Sequence, residues 1–307
     1  MIARKLYYMA KPCIPRTLQL AMRRRLMQWK QQSYTHCWPI DPAAGTPPAG
    51  WGGWPEQKRF ALILTHDVES ASGHDKCDRL MALEEQLGFR SSFNFVPERY
   101  DVSPALRTDL MQRGFEVGVH GLHHDGKLYS SHAVFQERAA KINRYIADWQ
   151  AVGFRSPAMH HNLDWIHALD IRYDASTFDT APFESQPDGM GTIFPFWVTS
   201  PDEQNGYVEL PYTLPQDFYL FVLMCEPNID IWKRKLDWIV EHGGMVLMNT
   251  HPDYMSFGDG ALGLEEYPAD FYAHFLQHIT AHYRDQYWHV LPKEMAQFWT
   301  TTMHRAP

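Results

Sequence analysis

Phe60-Ala61-Leu62-Ile63-Leu64-Thr65-His66-Asp67-Val68-Glu69 opens as a run of apolar and β-branched residues and ends on two carboxylates spaced by two. A short apolar run of this kind reads as a buried strand. Side chains alternate faces along a strand, so Asp67 and Glu69 point the same way if the strand continues through them. Two acids on one face at the end of a buried strand cost stability unless a metal ion or a proton transfer uses them.

Outward from this stretch, strands and helices alternate. Strands are expected at 60–65, 91–96, 115–119, 152–155, 172–176, 207–210, 245–249 and 288–291. Helices are expected at 75–87, 104–112, 133–149, 163–169, 231–242 and 269–283, with a terminal helix after the last strand. Gly88, Gly114 and Gly243-Gly244 stop three of the helices and Asn162 caps a fourth. Residues 178–206 read as an insertion rich in Pro, Gly and aromatics. Repeated β-then-α units of this length argue for a parallel sheet, open or closed into a barrel. Active groups in such folds gather at the C-terminal ends of the strands. Asp67 and Glu69, His120 and His124, Arg155, Asp174 and His251 all fall there.

The chain has 307 residues and a net charge of −8, with 28 basic and 36 acidic residues. Arg4, Lys5, Lys11, Arg16, Arg23, Arg24, Arg25 and Lys30 all precede the first acid, Asp41. A basic arm therefore sits before an acidic body. One reading takes this arm to an anionic membrane surface or a phosphate-bearing substrate. The other packs a helix on the body through Leu6, Leu18, Met22, Leu26 and Trp29 and leaves its basic face solvated. Five prolines in residues 38–55 mark a linker or a loop that wraps the body, so the division is 1–55 for arm and linker and 56–307 for the catalytic domain. Cys13, Cys37, Cys77 and Cys225 form no CxxC pair, against a disulfide scaffold or a cysteine zinc site. With no apolar run long enough to span a bilayer and no secretory signal, the expected location is cytoplasmic, with peripheral contact at the inner membrane face through the arm. The acidic body disfavours nucleic acid, and the absence of HExxH disfavours a zincin protease.

His120-Gly121-Leu122-His123-His124 carries histidines at i, i+3 and i+4. On a helical turn His120 and His124 would sit one above the other and hold one metal, with His123 facing away. Glu69 or Asp67 would be the third ligand, leaving open positions for water.

Thr65-His66-Asp67-Val68-Glu69, His120-Gly121-Leu122-His123-His124, Arg155-Ser156-Pro157-Ala158, Tyr173-Asp174-Ala175-Ser176-Thr177 and Leu247-Met248-Asn249-Thr250-His251 follow one another in order over residues 58–295. In that order and rough spacing they resemble the polysaccharide deacetylase family, carbohydrate esterase family 4, and the members associated with surface-polysaccharide assembly. The resemblance implies an α/β fold, a distorted (β/α)7-like barrel, here with an N-terminal extension. It implies metal-dependent removal of an N-acetyl or other acyl group from a sugar or glycan precursor, with a divalent cation, Zn2+ ahead of Co2+ or Ni2+. By position, Asp67 would be the general base toward a metal-bound water, and Glu69, His120 and His124 the metal ligands. Arg155 would keep Asp67 ionised, and His251 would be the general acid, tuned by Asp174. Pro157, Ala158, Phe178 and Leu247 would line the substrate, the Ala158 N–H stabilising the oxyanion. Three departures stand out. Val68 separates acids that are adjacent in many members, Ala158 replaces a frequent tyrosine, and the tryptophan often found in the fourth motif is missing, with Phe178 as the substitute wall. The aromatics Trp165, Phe178, Phe183, Phe194, Phe196 and Trp197 divide between core and a sugar-stacking platform. Glu209, Pro211, Tyr212, Gln216 and Asp217 belong to a segment read as pocket rim.

Two alternatives accompany this reading. One is a deformylase or other C–N hydrolase on a lipid-linked amino sugar, which would suit a basic arm. The other is a non-catalytic glycan-binding protein on the same fold.

Overall fold

The computed structural model describes residues 15–200 and 205–303. Strand β1 (Phe60–Val68) is buried at all nine positions, which is why its sequence is almost continuously apolar. It pairs in parallel with β8 (Met245–Thr250) along residues 61–66. Its early residues also pair with β11 (Tyr287–His289), and its last four with β2 (Ser92–Phe95). From β2 the parallel order continues through β3 (Glu116–His120), β4 (Gly153–Arg155), β5 (Tyr173–Asp174) and β7 (Gly206–Glu209). The sheet curls until the chain after β7 returns to β8, where the N–H groups of Thr213 and Leu214 donate to the Leu247 carbonyl at 3.0 and 3.3 Å. The result is a curled parallel sheet forming a half-barrel with helices outside, the architecture of a distorted (β/α)7-like barrel.

Local chemistry sets the helix ends. Ser103 caps Pro104–Gln112, Ser131 caps His132–Trp149 and Asn162 caps Leu163–Ile166, each side chain accepting a first-turn N–H. Gly88 and Gly243 end their helices in the left-handed conformation. Alternation along β1 sends Thr65 and Asp67 to the barrel interior. His66 turns outward, where its Nε2 meets Glu84 of the helix Cys77–Leu87 at 2.9 Å.

Three features depart from the sequence expectations. The insertion contains a strand, β6 (Phe196–Thr199), antiparallel to β7. Phe218–Leu223, starting where the segment read as rim ends, forms a π-helical turn. The first helix, Arg16–Ser33, lies on the body in the opposite sense to the packed-helix expectation. Its buried residues are Gln19, Leu20 and Met27, while Leu18, Met22, Leu26 and Trp29 face outward. Leu6 lies outside the described residues. The proline-rich segment wraps the body: Trp54 is buried and its Nε1 donates to the Gly243 carbonyl at 2.8 Å.

Candidate active site

β1, β3, β4 and β8 deliver their last residues to one mouth of the half-barrel. His120 ends β3. Arg155 ends β4. Asn249 closes β8 with Thr250, and His251 follows. His124 does not come from a helical turn as the spacing suggested. It sits on a loop in which Gly121 has φ +64° and His124 itself φ +53°. The left-handed turn, rather than a 3.6-residue repeat, brings the two rings to 5.2 Å between centroids. A Cβ on Gly121 would lie 2.4 Å from Pro157 Cγ, so only glycine lets this loop pass the β4 end so closely. His123 points away, toward Glu98 at 3.4 Å.

Glu69 Oε1 lies 2.9 Å from His124 Nε2. Ligand atoms of Glu69, His120 and His124 all fall within 4.8 Å of one another. His120 Nδ1 is 3.1 Å from the Arg155 carbonyl. That bond fixes the N–H on Nδ1 and turns the Nε2 lone pair inward. Nε2 is buried, and among the described residues it has no hydrogen-bond partner. Burial pushes the His120 ring down to about 4, so it is neutral and able to ligate. Burial alone would raise Glu69, but His124, His251 and His120 hold its carboxyl well below the usual range. Two imidazoles and a carboxylate around an orphaned buried nitrogen fit a divalent cation with open positions. Tyr254 Oη donates to Glu69 Oε2 at 3.0 Å, and the Glu69 N–H donates to Asp253 at 2.8 Å.

Asp67 stands apart from this set. Asn94 Nδ2 donates to its Oδ1 at 3.0 Å and Asn249 Nδ2 to its Oδ2 at 2.8 Å. Arg155 Nη1 lies 3.4 Å from Oδ1 and also donates to Thr65 Oγ1 at 2.8 Å and to Asn249 Oδ1, while Nε donates to the Ala175 carbonyl. Burial opposes the charge, yet His120, Arg155, His251 and the Asn94 bond outweigh it, and Asp67 is held ionised well below the ordinary carboxylate range.

His251 faces the set from the other side, its Nε2 4.0 Å from Glu69 Oε1. Its carboxylate partner is Asp217 and not Asp174. Asp217 Oδ1 meets His251 Nδ1 at 2.7 Å, and Oδ2 accepts the His251 N–H at 2.8 Å and the Tyr267 hydroxyl at 2.9 Å. Burial would lower this ring, but Asp217, with Glu69 and Asp67 behind it, raises it to about 10. Asp174 instead accepts from the Ser176 hydroxyl at 2.6 Å and pairs with buried Glu209, so tuning of His251 by Asp174 is corrected to tuning by Asp217. Pro157 and Ala158 follow Arg155 on a 3-10 turn in which Ala158 is exposed at φ +55°. Phe178 and Leu247 are fully buried. Phe178 packs against Tyr212 with the rings tilted by 37°, rather than standing free as a wall.

The sequence reading assigns no role to Asn94, Asn249 or Tyr254 and places Asp217 on the rim, not against His251. Asn94 carried a usable signal, since a polar residue at alternate spacing in Ser92-Phe93-Asn94-Phe95 must face inward beside Asp67. Asn249 carried a similar one, two residues before His251 on the same strand face. Asp217 and Tyr254 had none, because loops bring them in.

Chains of known structure share this architecture. Puue allantoinase superposes with a TM-score of 0.68 at 15% identity, covering 88% of this chain and 99% of that one. A probable polysaccharide deacetylase from Pseudomonas aeruginosa PAO1 gives 0.64 at 16% identity, over 88% of this chain and 100% of its own. A Mycobacterium smegmatis protein provisionally classed as a polysaccharide deacetylase gives 0.65 at 17%, over 85% and 96%. The chain has the polysaccharide deacetylase fold. No protein-family model matches the sequence, and no curated protein matches it. At these identities the deacetylase fold locates the strand ends, and the chemistry must be argued from the side chains found there.

Proposed function

We propose that the chain is a metal-dependent hydrolase that removes an acyl group, in the first place N-acetyl, from an amino sugar in glycan assembly. The observation that carries this reading is the pair of opposed titratable groups on either side of Glu69, His120 and His124. One, Asp67, is a carboxylate held ionised, and the other, His251, is an imidazole held protonated. Amide hydrolysis needs a base for the attacking water, a donor for the oxyanion and a proton for the departing amine. Asp67 takes the proton from water. His251 Nε2 gives one to the leaving nitrogen, and Asp217 steadies the imidazolium. The backbone N–H of Ala158, an exposed residue just past the β4 end, would donate to the developing oxyanion. Arg155, Asn94 and Asn249 orient Asp67 and keep its charge. Glu69, His120 and His124 would hold the cation, Zn2+ ahead of Co2+ or Ni2+, which when bound lowers the pKa of its water to about 7 and polarises the carbonyl.

The competing substrate class is another C–N bond, a formamide or a ring amide, and the allantoinase of the same fold favours keeping it in the screen. Release of acetate, formate or ring-opened product from N-acetyl sugars, N-formyl sugars and cyclic amides separates these. Asp67→Asn should lower turnover by about 10²- to 10⁴-fold, the usual worth of a general base, while keeping its metal. His124→Ala should lose the metal found by elemental mass spectrometry in the wild type. A wild type that takes up no zinc, cobalt or nickel would sink the hydrolytic reading and favour a glycan-binding protein.

A further inference from the structure

Seven large apolar side chains are exposed among the described residues, and six of them share one corner of the molecule. Leu18, Met22, Leu26 and Trp29 stand on the outward side of the helix Arg16–Ser33 at 50–66% exposure. Leu262 and Leu264 stand on the loop to which that helix is tied. Arg16 forms an ion pair with Glu265, and Arg24 donates to the carbonyls of Leu264 and Val222. At 100° per residue, Leu18, Met22 and Trp29 lie opposite the buried Leu20 and Met27, with Leu26 beside them. The helix thus has two apolar faces, one seated on the body and one open. Its charges are Arg16, Arg23, Arg24, Arg25 and Lys30, with no acid.

We propose that this corner is a docking surface for an anionic lipid bilayer, with the helix lying in the interface plane and the mouth of the site beside it. Charge selects the occupant. A second copy meeting the same face would bring cationic helices together, and Glu265 and Glu266 of the adjoining loop are already paired with Arg16 and Lys76, whereas an anionic surface complements Arg25 and Lys30 while Leu18, Met22, Leu26 and Trp29 enter the headgroup region. The arrangement reaches the site through named contacts. Arg23 sits 4.9 Å over the Phe218 ring, Phe218 packs on Tyr254 at 4.9 Å, and Tyr254 bonds Glu69. Phe218 also directly follows Asp217, the partner of His251. Docking would therefore present the mouth to molecules held in the membrane surface. The proposal rests on the helix and loop and not on the chemistry assigned to the site.

The test is co-sedimentation of the full chain with vesicles of phosphatidylcholine alone and of phosphatidylcholine with phosphatidylglycerol. The wild type should partition onto the anionic vesicles and only weakly onto the neutral ones, and added salt should release it. Arg25→Ala with Lys30→Ala should weaken partitioning roughly ten- to thirty-fold, from about a five-fold share per basic residue. Leu26→Glu with Trp29→Glu should abolish it. Both variants should keep the wild-type melting temperature and metal content, because Arg25, Leu26 and Trp29 are exposed and Lys30 half-buried on the helix surface, away from the site, which separates failure of docking from failure of the site. Equal binding to neutral and anionic vesicles would overturn the proposal. So would a solution dimer that Trp29→Glu dissociates.

Discussion

Asp217→Asn isolates the acid half of the site. The amide keeps the size of the side chain and an acceptor for His251 Nδ1, 2.7 Å away, but removes the negative charge. A hydrogen bond to a charged group is worth about 1.5–3 kcal/mol against about 0.5–1.5 for a neutral one. The lost charge–charge attraction adds a few kcal/mol at an effective dielectric of about 20. Together these come to about 3–5 kcal/mol, or roughly 2–4 pKa units at about 1.4 kcal/mol per unit. His251 stands at about 10, so its value in the variant should fall by that amount. The assay is the pH dependence of kcat/KM, whose alkaline limb reports the essential acid of the free enzyme. A cation held at Glu69 would lower the limb of both proteins, so the displacement between two equally loaded enzymes is the observable. The same shift has a stability consequence. A histidine raised from about 6.5 to about 10 on folding contributes stability that is whole below pH 6.5 and is lost as pH rises through 10. Metal-free Asp217→Asn should therefore melt below metal-free wild type at pH 6, with the gap closing toward pH 10. Superimposable alkaline limbs in fully loaded enzymes would refute the assignment of Asp217 as the group that keeps His251 protonated.

Tyr254→Phe deletes the hydroxyl that donates to Glu69 Oε2 and should weaken metal binding about 10- to 100-fold, as loss of an outer hydrogen bond to a ligand does. Chelator competition measures this, and unchanged affinity would leave Tyr254 as packing against Phe218. Gly121→Ala places a Cβ against Pro157 at φ +64°. Left-handed strain of about 1–2 kcal/mol and overpacking of about 1–3 kcal/mol should combine to lower the unfolding free energy by about 2–5 kcal/mol in denaturant titration. Metal retention should drop with it, because the displaced loop carries His124. A variant as stable and as metal-loaded as the wild type would mean that the loop can choose another path.

The half-barrel was legible because its strands are buried on both faces and so spell themselves as apolar runs ending in polar residues. β1, β3 and β8 are the clearest cases. The strand ends then exposed Asp67, His120, Arg155 and His251 in sequence order. What stayed hidden shares one physical cause. β6 sits in a segment whose Pro, Gly and aromatics carry no period-2 pattern, and the turn Phe218–Leu223 is apolar throughout, so neither announces itself. Asp217 and Tyr254 enter the site from loops whose path depends on tertiary packing, and no spacing rule reaches them. His124 was found by a helical argument although a left-handed turn places it. The i, i+4 spacing admits both, and only Gly121 hinted at the turn. The first helix was misassigned because its two apolar faces are alike in sequence. Leu20 and Met27 won the body because Arg16, Arg23 and Arg24 on that side find Glu265, Phe218 and the Val222 and Leu264 carbonyls.

Substrate choice must come from parts that the shared fold does not fix. Chains described as allantoinase and as polysaccharide deacetylase superpose on this one about equally well, so the shared fold does not by itself fix the chemistry. A buried carboxyl joins the insertion to the π-helical turn. There Glu184 accepts from Tyr212 Oη at 2.7 Å, Gln216 Nε2 at 2.9 Å and Tyr219 Oη at 2.9 Å, and burial raises its carboxyl to about 7. A carboxyl clamped by three donors braces the segment that ends in Asp217, and Asp217 in turn fixes His251. The insertion is thereby tied to His251, and the first helix is tied to the same turn through Arg23 and Arg24. Changes in either element can therefore reach His251, the proposed general acid, without altering a single strand.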